Sequence, residues 1–287
     1  MRYAFIAAHK KAYPVDLMCR VLDVSRTGYY DWLKRPDSLR KRDNLKLDVH
    51  LQALFRVHKG RYGSPRLTHE LNENGVPCSE NRVAKRMQQL SLKAKAKRKF
   101  KMTTDSNHSH PVAPNLLGQD FTADKPNQKW VSDITYCWTR DGWLYLAVVM
   151  DLYSRAVIGW HLSPRLTKNL VCEALRMALI RRHFPSDVLV HSDRGSQYAS
   201  KQYQKLLKKY GLICSMSKRG DCYDNAAMES FFHTLKVELI HHEDYATREQ
   251  ASQSIFEYIE CYYNVKRKHS AIGYQAPMRY DANADFA

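Results

Sequence analysis

The chain has 287 residues, enough for two domains of which one has a sizeable core, and a formal net charge of +17 at pH 7. Residues 1–110 hold 24 Lys and Arg against 10 Asp and Glu, a net of +14, whereas the other residues hold 22 against 19, a net of +3. This distribution indicates a basic N-terminal arm that neutralises phosphates, joined to a nearly neutral core, although a merely well-solvated surface is the alternative.

The composition also excludes several classes of protein. The seven cysteines contain no Cys-x-x-Cys pair, and the thirteen histidines form no zinc pattern with them. The longest apolar run, Trp143 to Met150, is far too short to cross a bilayer, and the apolar stretch after Arg2 breaks off at His9. We therefore expect a soluble cytoplasmic protein with reduced thiols and no zinc module.

Residues 1–36 are predicted to form a helix-turn-helix-like unit. The pattern favours a helix over 14–22, a turn in which Ser25 caps the next helix, and a second helix over 26–33. A tight helix, turn and helix is the outline of a DNA-reading motif, so Arg26 is a candidate DNA contact.

Residues 37–92 are predicted to form a second helical DNA-binding unit. A long amphipathic stretch covers 39–58, Asn74-Gly75 ends the following helix, and Ser79 caps another. That last helix carries Arg82, Lys85 and Arg86 on a face expected to be exposed, which makes it the candidate for DNA contact. For both units the alternative is a small helical bundle whose surface lysines only solvate it.

Residues 93–118 read as a basic linker. The run from Lys93 to Lys101, which includes Lys97 and Arg98, has too little apolar content to fold alone and suits a path along phosphates. A nuclear-localisation signal is the alternative for such a run.

Residues 119–287 are predicted to form an α/β core, a mixed five-stranded sheet with flanking helices. The pattern predicts strands at 129–138, 143–151, 155–162, 187–192 and 212–216, and helices at 167–182 and 200–209, followed by the helix of Glu229. A later helix over 247–263 and the basic tail from Lys266 to His269 would cover the core or touch DNA.

Three carboxylates in this core suit a divalent-metal site. Asp133 lies within a strand, Asp193 follows a short apolar strand, and Glu229 lies on an amphipathic helix. On that helix Asn225, His233 and Lys236 share the face of Glu229. Mg²⁺ and Mn²⁺ prefer such hard oxygen ligands, and two ions held by carboxylates can support displacement at phosphorus.

Several segments strengthen this interpretation together. WVSDITY, DLYSRAVIGW, HSDRGSQY, DNAAMESFFHTLK and YNVKRKHSAIGYQAP follow one another from Trp130 to Pro277, and 35 residues separate Asp193 from Glu229. In these segments, in LMCRVLDVSRTGYYDW (17–32) and in YGSPRLTHEL (62–71), the chain resembles the larger-frame transposases of the IS3 family of bacterial insertion sequences. These are DDE enzymes of the retroviral integrase superfamily, and the resemblance covers nearly the whole chain.

The resemblance implies a ribonuclease-H-like catalytic core in which Asp133, Asp193 and Glu229 are the catalytic residues and metal ligands. It implies that Lys236 contacts the terminal DNA. Asn225 is a further candidate DNA contact, and four residues around Asp193 are candidates for orienting ligands or gripping the strand: His191, Ser192, Gln197 and Tyr198.

The implied reaction is metal-dependent cleavage and strand transfer at the ends of an insertion sequence, within the bacterial nucleoid. Terminal inverted repeats and target DNA are the implied partners. A homo-oligomer is expected because two DNA ends must meet, and the family often works as a fusion to an upstream frame with a helix-turn-helix and a leucine zipper. Two alternatives stay open: a metal-dependent nuclease of the same fold and a non-catalytic regulator that binds DNA ends.

Overall fold

A computed structural model describes residues 1–95, 113–218 and 222–286 of the chain. Its helices and strands are, in order, α1 Arg2–His9, α2 Val15–Val21, α3 Arg26–Lys34, α4 Leu39–Val57, α5 Ser64–Glu73, α6 Glu80–Gln89, β1 Lys129–Thr139, β2 Gly142–Asp151, β3 Val157–Ser163, α7 Lys168–Arg181, β4 Leu189–Ser192, α8 Lys201–Lys209, β5 Ile213–Met216, α9 Ala226–Glu238, α10 Arg248–Phe256 and α11 Pro277–Ala282. None of the helices in these described ranges is both long enough and apolar enough to cross a membrane.

The core is built on one mixed sheet of five strands in the order β3-β2-β1-β4-β5. β1 pairs antiparallel with β2 and parallel with β4, and β4 pairs parallel with β5. The predicted α/β fold is therefore confirmed, with strand and helix ends shifted by one or two residues. The predicted single helix over 247–263 is instead α10 followed without a break by a π-helix, Glu257–Tyr263.

Helices cover both faces of the sheet. α7 and α8 bury one face in a cluster that includes Trp130, Val149 and Leu175. Gly159 on β3 allows the close approach of α7, because a Cβ there would lie 2.2 Å from the backbone oxygen of Ala174. On the other face α9 and α10 pack against the remaining apolar side chains of β1 and β2.

The first helical unit has its own small core. Ile6, Met18, Cys19 and Tyr29 from α1, α2 and α3 form a separate buried cluster. The predicted cap is confirmed, since the Ser25 hydroxyl accepts a hydrogen bond from the Gly28 backbone N–H at 3.2 Å. α1 was not expected from the sequence.

The second helical unit shares a core with the part of the chain that contains the sheet. Apolar side chains of α4, α5 and α6 belong to the same buried cluster as those of α9 and α10. At the junction the Arg61 Nε donates to the Glu238 backbone oxygen at 3.3 Å, and its guanidinium lies 4.3 Å from the Tyr262 ring centroid. The Glu238 carboxylate is itself bound by the buried Arg267 guanidinium and by the Tyr258 hydroxyl. The division of the sequence into four units stays a prediction. This junction shows that the second unit packs tightly against the fourth.

Candidate active site

Two of the predicted carboxylates are brought together by the pairing of β1 with β4. Ser132 and Ser192 are partners in this parallel pair, so Asp133 and Asp193 are the next residues on adjacent strands. Neighbouring strands lie about 4.8 Å apart, and in a parallel pair they end on the same side of the sheet. The pairing of β1 with β4 therefore places both carboxylates at the point where β4 ends and β1 continues beyond it.

Backbone groups hold each of these carboxylates. The Ile134 N–H donates to Asp133 Oδ1 at 2.7 Å, and the Gly195 N–H donates to Asp193 Oδ1 at 2.8 Å. A Cβ at position 195 would lie 3.0 Å from that same Asp193 oxygen, so glycine lets the backbone close around the carboxylate. Both residues remain half-buried.

The electrostatics of the pair favour a cation. Burial raises the pKa of Asp133 well above its usual value, the charge of Asp193 raises it further, and Glu229 adds to this effect while Lys236 opposes it. Repulsion between two neighbouring carboxylates disfavours the state in which both are ionised, and a bound divalent ion stabilises that state. All their donor atoms are hard oxygens, which fits Mg²⁺ or Mn²⁺.

Glu229 lies on the first turn of α9, beside the pair. The Asn225 side-chain amide donates to the Ser132 backbone oxygen at 3.2 Å and so fixes the start of α9 against β1. Glu229 is an exposed residue, and the partial burial of its carboxyl group raises its pKa. In the parts of the chain that the structure describes, no three His, Cys, Asp or Glu side chains form a ready metal-binding cluster. Asp133 and Asp193 thus form the close pair, and Glu229 approaches it from the helix.

Lys236 lies two turns further along α9. Its Nζ is 5.1 Å from the centroid of the Tyr136 ring, and the side chain is half-buried. Burial lowers the pKa of Lys236, and the nearby Asp133 raises it. This effect indicates that Lys236 lies near Asp133, and the contact of Lys236 with DNA stays a prediction.

The candidate residues around Asp193 support the site through buried hydrogen bonds. The His191 ring lies within hydrogen-bond distance of the Ser215 and Ser217 hydroxyls, at 2.8 and 3.2 Å, and burial lowers its pKa to about 4. The Tyr198 hydroxyl and the Ser132 hydroxyl are 2.9 Å apart, directly before Asp133.

Burial limits what these candidates can do. His191, Ser192 and Tyr198 are at most 2% exposed, so gripping a DNA strand is not available to them and the orienting role is the one that fits. Gln197 is partly exposed, so both predicted roles, orienting a ligand and gripping the DNA strand, stay open to it.

One supporting residue was missed from the sequence. Asp224 is 1% exposed and accepts hydrogen bonds from the Asn115 and Gln119 side-chain amides and the Lys218 backbone N–H, at 2.8, 3.1 and 2.6 Å. It joins the segment before β1 and the segment after β5 to the start of α9. The sequence signal that could have identified Asp224 is its place directly before Asn225, which occupies the N-cap position of α9.

The exposure predicted for the basic side chains of α6 needs a correction, whereas their contact with DNA stays a prediction. Arg82 donates twice to Asn44 Oδ1, at 3.1 and 2.9 Å, and Arg86 binds the Asp48 carboxylate with both arms of its guanidinium. The prediction of an exposed face is wrong for these two arginines, because their guanidinium groups turn towards α4 and are half-buried. Only Lys85 of the predicted three is exposed.

The remaining predicted contacts are spread over the chain. Arg26 is exposed and lies 3.8 Å from the Asp16 carboxylate. Lys97 and Arg98 lie outside the described residues.

Comparison with protein families matches three stretches of the chain. Residues 123–222 and 229–284 match two families described as integrase core domain, and residues 41–100 match an HTH-like domain. The first stretch contains Asp133 and Asp193, and the second begins at Glu229.

Comparison with individual proteins gives relatives along the whole chain. The chain is 50% identical over 283 residues to the transposase InsF for insertion sequence IS3A of Escherichia coli (strain K12), which covers 98% of both proteins. It is 45% identical over 260 residues to the insertion element IS600 uncharacterized 31 kDa protein of Shigella sonnei, covering 91% of this chain and 96% of that protein.

Solved structures of integrases are more distant. A chain of a simian T-cell lymphotropic virus intasome shares 15% identity at a TM-score of 0.45, covering 80% of this chain and 74% of that one. An HTLV-2 integrase catalytic core domain in complex with magnesium shares 15% identity at a TM-score of 0.42, covering 56% of this chain and 99% of that one. On the identity to InsF along nearly its full length, together with the integrase core matches, the chain belongs to the IS3 family of insertion-sequence transposases.

Proposed function

We propose that Asp133, Asp193 and Glu229 are the catalytic carboxylates of this transposase and the ligands of its divalent ions. The observation that carries the proposal is the β1–β4 register, which brings Asp133 and Asp193 side by side, so that the charge of Asp193 helps to raise the pKa of Asp133. Two bound Mg²⁺ or Mn²⁺ ions would activate the attacking oxygen and stabilise the leaving oxygen of an in-line displacement at phosphorus.

The residues of the chain have distinct tasks in this proposal. Asp133 and Asp193 each accept a hydrogen bond from a backbone N–H group, which fixes the orientation of the two carboxylates that would hold the ions. Lys236 provides a positive charge near Asp133 for the phosphate of the terminal DNA. Water first attacks a phosphodiester at the element end, and the freed 3′-hydroxyl then attacks a second phosphodiester, so no covalent enzyme intermediate forms.

The substrate and partners follow from the relatives. InsF is named for an insertion sequence, so the terminal inverted repeats of such an element are the proposed substrate. The HTH-like match at 41–100 supports DNA binding by the second helical unit. We further propose that the enzyme acts in the nucleoid as a homo-oligomer that brings two ends together, with or without an upstream-frame partner.

A cleavage and strand-transfer assay on a labelled element end with Mg²⁺ tests the catalytic set. Asp133→Asn, Asp193→Asn and Glu229→Gln should each abolish both steps while leaving binding to the end intact. Glu249→Gln removes an exposed carboxylate from the first turn of α10 and is the matched control, with activity retained. Hydrolysis without joining by the natural protein would instead favour a nuclease, and unchanged activity in all three variants would refute the assigned residues.

A further inference from the structure

Three aromatic side chains lie together towards the turn of the β1–β2 hairpin. Trp138 on β1 is the register partner of Trp143 on β2, and their ring centroids are 4.8 Å apart at 73°. The Tyr136 ring meets the Trp143 ring at 5.1 Å and 85°. Trp138 is 58% and Trp143 43% exposed. Large aromatic side chains normally gain from burial, so an exposed group of them indicates a binding surface.

This aromatic cluster continues the strand that carries Asp133. β4 pairs with β1 only along Lys129–Ser132, so among the described strands the part of β1 beyond Asp133 pairs with β2 alone. Lys236 lies between the two features, since its Nζ is 5.1 Å from the Tyr136 ring centroid and its pKa responds to Asp133. A path around this edge therefore connects the carboxylates with the aromatic rings.

Positive charges flank the cluster. Arg140 lies in the hairpin turn with its side chain 67% exposed, although it shares its charge with Asp244. The Arg248 Nε donates to the Trp143 backbone oxygen at 3.1 Å. Together with Lys236 these groups place basic side chains beside the aromatic rings, and the carboxylates of Asp244 and Asp141 lie next to the two arginines. Single-stranded nucleic acid is bound in this way, with bases stacked on aromatic rings and phosphates near basic side chains.

We infer that Tyr136, Trp138 and Trp143 form a stacking platform for unpaired bases of the DNA strand next to the reacting phosphodiester. The inference rests on the proposed catalytic site at Asp133. Trp138 is five residues beyond Asp133, about 17 Å along an extended strand, and its side chain points to the opposite face of the sheet, so the DNA strand would reach it around the edge of β1 that β4 leaves unpaired. Capture of splayed bases would hold the end of the duplex open beside the carboxylates.

The experiment measures binding of the full chain to fluorescein-labelled DNA in EDTA, where no cleavage occurs. The probes are a mixed-sequence 20-nucleotide single strand, the same strand in a duplex, and a duplex with three unpaired terminal nucleotides. Trp138→Ala/Trp143→Ala should weaken binding to the single strand and the frayed duplex by about tenfold or more, and binding to the full duplex by less than about twofold. Trp138→Phe/Trp143→Phe should restore most of the loss, because phenylalanine keeps a stacking ring.

The matched control is Phe256→Ala, which removes another exposed aromatic ring, 47% exposed and edge-on to Trp160. It should leave all three affinities unchanged. An unaltered ratio of single-strand to duplex affinity in the double alanine variant would overturn the inference. So would a change in sedimentation without a change in DNA binding, since the rings would then contact a protein surface. Asp133→Asn serves to separate the two proposals, because loss of cleavage tests the catalytic site while its single-strand preference should persist.

Discussion

The Asn225 side-chain amide reaches the Ser132 backbone oxygen at 3.2 Å and thereby ties the first turn of α9 to β1 immediately before Asp133. Both residues are buried, and this bond ties the start of the helix that carries Glu229 to the strand that carries Asp133. Loss of a hydrogen bond to a buried backbone oxygen costs about 1 to 3 kcal/mol of unfolding free energy.

Asn225→Ala should therefore reduce both stability and cleavage. We expect the rate to fall and the Mn²⁺ concentration for half-maximal cleavage to rise, because Glu229 is no longer held near the pair. Urea unfolding and a Mn²⁺ titration of the cleavage rate measure the two effects. Asn283→Ala removes an exposed amide that donates to Gln275 and should change neither. Wild-type metal dependence in Asn225→Ala would show that Glu229 is positioned by other contacts.

Divalent ions should stabilise the folded chain through Asp133 and Asp193. A ligand that binds only the native state adds about 2.7 kcal/mol at one hundred times its Kd. We expect Mg²⁺ to raise the Tm of the natural protein but not of Asp133→Asn or Asp193→Asn. In EDTA at pH 7, Asp133→Asn should itself be the more stable protein, because burial and Asp193 raise the pKa of the carboxyl it removes. An equal Mg²⁺ effect in all three proteins would contradict the assignment.

The buried His191 should make stability fall in mild acid. Burial lowers the pKa of His191 from 6.5 to about 4. Between these pH values the unfolded chain binds a proton at His191 and the folded chain does not. Stability is complete above pH 6.5 and decreases as the pH falls to 4, by up to about 3 kcal/mol. His191→Asn should flatten this part of the pH profile of urea unfolding. His183→Asn, at an exposed position with φ of 55°, is the control and should leave the profile unchanged.

On α6 the residues that read bases should be Asn81, Lys85 and Gln88. These three are exposed and lie opposite the buried Val83 and Met87. Amide side chains recognise adenine and lysine recognises guanine in the major groove, each good contact giving about 1 to 3 kcal/mol of discrimination. Their alanine variants should relax base preference in a selection from randomised duplexes.

The arginines of the same helix provide the contrast. Arg82→Ala and Arg86→Ala should lower the unfolding free energy of the protein, because each removes bonds to α4, and should keep the base preference. If the arginine variants changed the preferred sequence and the other three did not, the assigned reading face would be wrong.

The buried pair of Glu238 and Arg267 should be among the most sensitive positions for stability. Their side chains are 6% and 4% exposed, and removal of one partner leaves an uncompensated buried charge. Arg267→Met should cost about 3 to 5 kcal/mol, and Glu238→Gln combined with Arg267→Met should recover part of that loss. Urea unfolding of both single variants and the double variant measures the coupling, and additive losses would contradict it.

Much of the site could be predicted from the sequence because local patterns determine it. The run rich in β-branched and aromatic residues around Asp133 and the short apolar run before Asp193 indicate strands, and serines at positions 25 and 79 indicate helix starts, so these features were confirmed. The contacts that the arginines make with other helices could not be predicted. Helical periodicity shows which face of α6 is polar, but not that Arg86 finds Asp48 on α4 instead of facing solvent. Arg61 likewise reaches an oxygen 177 residues away in sequence, which no local pattern encodes.

The core shared by α4–α6 and α9–α10 packs the second helical unit against the part of the chain that carries the carboxylates. Because Arg61 also binds Glu238 across this core, we expect α6 to keep a fixed distance from Asp133. If α6 recognises bases as predicted, the position of the cut should depend on the distance between those bases and the element end. Inserting about five base pairs, half a helical turn, between those bases and the element end would turn the reacting phosphate to the far side of the duplex.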